Sequence, residues 1–212
     1  MPLFLRDTEP LRGVWKIEES PDELLSRLDR RDDYLPSLAR MQTDKRKQEW
    51  LAARVLLKEL LGEELPVAYR PDGAPYLPES PLHISISHTR AYAAVAVNEA
   101  APTGVDIEYL SDRILKVRSR FMNPEEEEMI DPAQEAEHLL LCWCAKETLF
   151  KLIGRRDVDF QRHLHLLPFP CGESGSLIAR ETRTPQAATY RLHYLRNRYF
   201  AMMWFRDTIL VS

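Results

Sequence analysis

The chain has 212 residues, 44% of them hydrophobic and 29% charged, and a net charge of −4. That length suits one large domain or two of about 100 residues, and the apolar stretches fall well short of the roughly 20 residues that a membrane helix needs. The negative balance argues against a general nucleic-acid binder, so any phosphate site must be a local cluster of cations.

The start, Met1-Pro2-Leu3-Phe4-Leu5-Arg6-Asp7, lacks the charged lead and long apolar run of a signal peptide. Three cysteines without metal-ligand spacing fit a reducing compartment, and the expectation is a cytoplasmic protein. Residues 11–18 read as a strand. Ser20-Pro21-Asp22-Glu23 is a helix start, with a capping serine and a glutamate three residues on. A long helix is predicted over 43–61 from Trp50, Leu51, Val55, Leu57, Leu60 and Leu61, with Gly62 as its stop. Pro71-Asp72-Gly73 is a turn. Leu82, Ile84 and Ile86 alternate with His83, Ser85 and Ser87, the pattern of a half-buried strand. Two further strands follow at 91–97 and 104–109. Residues 112–121 and 124–130 read as helical, and 133–153 as the strongest helix, ended by Gly154. The remainder, 163–211, reads as four or five strands with turns at 172–175, 183–185, Asn197 and Asp207. Each half therefore has a long helix followed by antiparallel-looking strands, a topological duplication without sequence identity.

Four groups of residues carry chemistry. In Gly104-Val105-Asp106-Ile107-Glu108, strand alternation puts both carboxylates on one face. They repel each other unless a hard divalent cation sits between them; a solvated strand edge with two unrelated acids is the plain alternative. In Trp143-Cys144-Ala145-Lys146-Glu147-Thr148-Leu149-Phe150-Lys151, Glu147 and Lys151 share a helix face with Trp143. They are either a surface ion pair or, partly buried, a third metal ligand and a charge clamp. Ser87, His88 and Thr89 end a strand with three short polar groups that suit a phosphate, or form an ordinary polar loop. Ser87 and His88 are neighbours and face apart, so they do not make a serine-hydrolase pair. Arg46, Trp50 and Arg54 recur at steps of four on one helix face, as a phosphate grip or a solvated face.

Taken in order, these segments resemble the Sfp-type 4′-phosphopantetheinyl transferase family. The resemblance runs through Arg46-x-x-Glu49-x-x-Ala52-x-Arg54, Gly73-Ala74-Pro75-x-x-Pro78 and Ile86-Ser87-His88-Thr89. It continues through Gly104-Val105-Asp106-Ile107-Glu108, Phe121 with the Glu125–Glu128 run, and Trp143-x-x-Lys146-Glu147-x-x-x-Lys151. It covers roughly 45–155, and the Gly-x-Asp-Ile-Glu and Trp-x-x-Lys-Glu segments are its specific parts. Ala74 stands where many relatives carry a cation, a contact that Arg70 could supply, and Thr89 replaces a common serine.

The resemblance implies an α+β pseudo-dimer of two similar halves, each a long helix on a mostly antiparallel sheet. The halves are expected at 1–102 and 103–212, with the active site in the cleft between them. It implies a monomeric enzyme that moves phosphopantetheine from coenzyme A (CoA) to a serine of an apo acyl or peptidyl carrier protein, releasing 3′,5′-ADP, with no nucleic-acid or membrane partner. Mg²⁺ is expected on Asp106, Glu108 and Glu147. Glu147 and Lys151 are the expected catalytic residues. Arg46, Arg54, Ser87, His88, Lys146 and Lys151 are the expected CoA contacts.

Overall fold

The structure is a computed structural model and describes residues 3–154 and 157–209. The chain divides between Ala101 and Pro102 into two units, taken here one at a time.

In the first unit, β1 (Leu3–Thr8) and β2 (Leu11–Lys16) form a hairpin. α1 (Pro21–Ser26) opens on a capping box: the Ser20 hydroxyl accepts the Glu23 N–H, and the Glu23 carboxylate accepts the Ser20 N–H. α2 (Arg31–Ala39) is short, contains Pro36 and buries only Tyr34 and Leu38, which explains why periodicity does not announce it. α3 (Asp44–Leu61) starts at the Thr43 cap and stops at Gly62, whose φ of +79° is left-handed. After the two-residue strands β3 (Ala68–Tyr69) and β4 (Pro75–Tyr76) come β5 (His83–Thr89) and β6 (Tyr92–Asn98). The sheet order is β1-β2-β6-β5, antiparallel throughout. Leu51, Leu56 and Leu60 of α3 join Trp15, Val95 and Val97 of the sheet in one core. β5 departs from the half-buried pattern, since Ser85, Ser87 and Thr89 are buried as well as Ile84.

The second unit begins with β7 (Val105–Tyr109). The expected helix at 112–121 is two tight 3₁₀ turns, Asp112–Lys116 and Arg118–Arg120, and α4 (Pro124–Glu127) is a single turn. α5 (Glu135–Ile153) is the long helix, closed by left-handed Gly154. α6 (Phe160–His163) leads into β8 (Leu164–Leu166), β9 (Ser174–Glu181), β10 (Thr189–Arg196) and β11 (Phe200–Ile209). The antiparallel order is β7-β11-β10-β9-β8. The turn expected at Asp207 is instead a bulge: Arg191 faces Asp207 while Leu192 faces Phe205, which leaves Arg206 as the extra residue. Residues 210 and 211 of the expected last strand lie outside the described residues. Leu139, Leu141, Leu149 and Leu152 of α5 pack with Leu177, Leu192 and Met203 in the core.

The fold is α+β, and the two units share a plan. In each, a strand before the long helix pairs antiparallel with the last strand after it: β2 with β6, and β7 with β11.

Candidate active site

β7 needs apolar residues on one side and presents acids on the other. Val105 and Ile107 are fully buried, Asp106 is buried and Glu108 is half-buried. Gly104, at the head of the strand, passes so close to α5 that a Cβ there would stand 2.5 Å from the Thr148 carbonyl oxygen. That close approach brings the Glu147–Lys151 turn of α5 to the acids of β7.

Lys151 does not form the expected helix pair with Glu147. Its Nζ donates to Asp106 Oδ1 at 2.8 Å and to the Val105 carbonyl at 3.0 Å. Glu147 is left half-buried near two further acids. Burial, and then the charge of Asp106, push its carboxyl up to about 7; Lys151 opposes the shift and Glu108 adds to it. Glu108 Oε1 accepts the indole N–H of Trp143 at 3.1 Å. Asp106, Glu108, Glu147 and Lys151 thus share one electrostatic neighbourhood. Among the described residues, no three His, Cys, Asp or Glu side chains are placed to hold a metal ion. The chemistry of the set nevertheless fits a hard divalent cation, which would offset the burial and repulsion that raise the Glu147 carboxyl and so favour its ionised form.

Lys146, expected to touch CoA, has no exposed atom. Its three N–H donors go to Glu126 Oε2 at 2.6 Å, the Phe121 carbonyl at 2.6 Å and the Phe160 carbonyl at 2.9 Å. Glu126, marked in the sequence only as one of the Glu125–Glu128 run, is also buried. It caps Asn123 and accepts the Leu166 N–H at 2.9 Å. Its sequence signal is the Asn123-Pro124-Glu125-Glu126 capping box.

The first unit gathers a second group. Arg46 Nη1 lies 2.6 Å from His88 Nε2, and His88 Nδ1 lies 3.4 Å from Glu49 Oε2. Lys45 also stands 3.9 Å from Glu49. Ser87 is buried beside His88 on β5. Arg54, two helical turns beyond Arg46, is buried too. Its guanidinium carbon sits 3.1 Å from the Trp50 ring centre and 5.9 Å from those of Tyr34 and Tyr69, and Nη1 donates to the Trp50 carbonyl. Expected as an open phosphate grip, Arg54 is instead an aromatic-packed core cation.

Comparison with known proteins assigns both units. Residues 102–204 match the profile of the 4′-phosphopantetheinyl transferase superfamily, and residues 36–98 that of the 4′-phosphopantetheinyl transferase N-terminal domain. The chain belongs to the 4′-phosphopantetheinyl transferase superfamily. It is 29% identical over 155 residues to the 4′-phosphopantetheinyl transferase AcpT of Escherichia coli O157:H7, covering 68% of this chain and 80% of that protein. The AcpT of Escherichia coli K12 gives the same identity and shares. A 4′-phosphopantetheinyl transferase of Bacillus subtilis is 31% identical over 87 residues, 39% of this chain and 38% of its own length. The acid cluster and Lys151 fall inside the superfamily match, and the Arg46–His88 group inside the N-terminal match.

Proposed function

We propose that this transferase moves the 4′-phosphopantetheine arm of CoA onto a serine of an apo acyl or peptidyl carrier protein, with Mg²⁺ held by Asp106, Glu108 and Glu147. The observation that carries the reading is the packing of α5 on β7 at Gly104, which gathers three acids and one lysine inside the superfamily match. A bound divalent ion supplies Lewis-acid neutralisation of the pyrophosphate.

The chain's own groups do the rest. The serine Oγ attacks the phosphorus nearer the pantetheine. Its proton passes to the Glu147 carboxylate, and the bond from that phosphorus to the oxygen of 3′,5′-ADP breaks. With a cation beside it Glu147 is held in its ionised form, the form that can take the proton. Lys151, held by Asp106, offsets charge on the departing pyrophosphate oxygen. Arg46 and His88 bind the 3′-phosphate of CoA, with Arg54 buried on Trp50 and Ser87 buried beside His88 keeping that surface in shape.

The reading is of the Sfp type, a cytoplasmic monomer with separate N- and C-terminal halves. The two family matches in series support two halves in one chain. The net charge of −4 speaks against nucleic acid as a partner. Among the described residues, no helix is long and apolar enough to cross a membrane. The test is to incubate the protein with CoA, Mg²⁺ and an apo carrier protein and weigh the carrier. A gain equal to one phosphopantetheine with release of 3′,5′-ADP is expected; an unchanged carrier mass overturns the reading.

A further inference from the structure

Trp143 and Lys146 occupy successive turns of one face of α5, three residues apart. The Trp143 indole reaches Glu108 on β7 and packs against two rings, Phe121 at 5.3 Å and Phe160 at 5.6 Å between centres. Those two phenylalanines come from distant segments, one before α4 and one opening α6. Both have their backbone carbonyls fixed by the same ammonium group, Lys146 Nζ. Glu126 balances that charge, and through the Asn123 and Leu166 N–H groups it ties the same two segments together again. A buried lysine whose donors are all spent on protein has none left for a ligand. What it controls is where Phe121 and Phe160 stand, and so where the indole between them and Glu108 points.

We propose that Lys146 and Trp143 are positioning residues: the Lys146–Glu126 pair anchors an aromatic clasp that orients the Trp143 indole, whose N–H aims the Glu108 carboxylate. The consequence for transfer rests on the reading of Glu108 as a metal ligand; the link from Lys146 to the indole does not. A carboxylate held by an indole donor loses rotamer freedom, so the site is set before substrate arrives. Lys146 then serves the reaction without touching CoA.

Indole ¹⁵N–¹H resonances of the metal-free, substrate-free protein test the link. The chain has four tryptophans, and the Trp143 peak is the one lost in W143F. In the double variant E126Q/K146M, which removes both buried charges together, the Trp143 peak should move while those of Trp15 and Trp50 stay. An unmoved Trp143 peak in a folded double variant overturns the proposal. W143F keeps an aromatic ring in the clasp while removing the N–H and the five-membered ring that carries it, so it serves even where the double variant does not fold. Its transfer rate should fall about tenfold or more, the usual cost of an outer-shell partner, with the dissociation constant for CoA within about twofold of wild type. Wild-type transfer in W143F sinks the proposal, and so does a tenfold loss of CoA affinity in E126Q/K146M, which would make Lys146 a ligand. Full wild-type transfer in excess EDTA instead defeats the metal reading, and the indole resonance then decides the positioning on its own.

Discussion

Glu147 sits where two hypotheses differ in sign. As half of an exposed helix ion pair it would add about 0.3–0.5 kcal/mol, and Glu147→Gln would lower the melting temperature slightly. In the structure Lys151 has gone to Asp106, and burial beside Asp106 raises the Glu147 carboxyl from an ordinary 4.5 to about 7. A raised acid favours the folded state while protonated, and that advantage is lost as pH rises from about 4.5 through about 7. Glu147→Gln should therefore stabilise the metal-free protein at pH 8, by about 1–2 kcal/mol after allowance for solvent screening, while transfer falls by about 10²-fold or more. Thermal melts with and without Mg²⁺ beside single-turnover rates decide it; a lower melting temperature with normal transfer restores the plain ion pair. At the other group, His88→Ala should weaken CoA binding and weaken dephospho-CoA binding much less, because only CoA carries the 3′-phosphate. Equal losses in calorimetry would show that His88 serves something else.

At the scale of elements, the contact of β7 with α5 has one tolerance. A methyl group on Gly104 would stand 2.5 Å from a backbone oxygen of α5, and backbone cannot swing aside as a side-chain tip can. Gly104→Ala should cost about 1–3 kcal/mol of stability and lower transfer by moving Asp106 from Lys151; unchanged melting and activity would mean that the strand and helix are not so tightly seated. The β9–β10 connection carries a different device. Glu181 is fully buried, and its carboxylate accepts the N–H groups of Arg183, Thr184 and Ala188 and the Thr184 hydroxyl. Burial works to raise its pKa, but these donors hold it below the ordinary range. A depressed acid contributes stability above its unfolded pKa of about 4.5 that is lost as pH falls through the folded value. Glu181→Gln should cost about 1–3 kcal/mol near neutral pH, and the wild-type amide of Ala188 should lose exchange protection only in acid; equal protection of that amide in the variant argues against the latch. The sequence made the long helices legible because apolar spacing and the stops at Gly62 and Gly154 agree. It left α2 and β1 unread, since a nine-residue helix with two buried side chains and a strand with alternate residues exposed carry little pattern. Strand spacing put Asp106 and Glu108 on one face, and only the family resemblance joined Glu147 to them as a metal set, but neither could say that Lys151 crosses to Asp106 or that Lys146 is spent in the core. Those outcomes depend on what packs beside each group.

The molecule as a whole repeats one topology with different contents. Unit 1 offers cations and a histidine, unit 2 acids and a lysine. The proposed reaction divides the same way, with 3′-phosphate recognition drawn from the first and displacement chemistry from the second. Chelation should therefore separate the two functions: excess EDTA should abolish transfer while CoA still binds through Arg46 and His88. Retained transfer in EDTA would falsify the metal assignment.

The pairing of each pre-helix strand with the last strand of its unit has a consequence for synthesis on the ribosome. Unit 1 has all four strands of its sheet once residue 98 has emerged, whereas β7, with its two acids, pairs among the described residues with β11 and waits for residues 200–204. The acid strand thus stays unpaired with β11 until about 90 residues after it have been made, a long-range closure that is slow relative to local contacts. A message truncated before Phe200 still encodes every candidate site residue named above, yet among the described residues its product lacks the strand that pairs with the one carrying two of them.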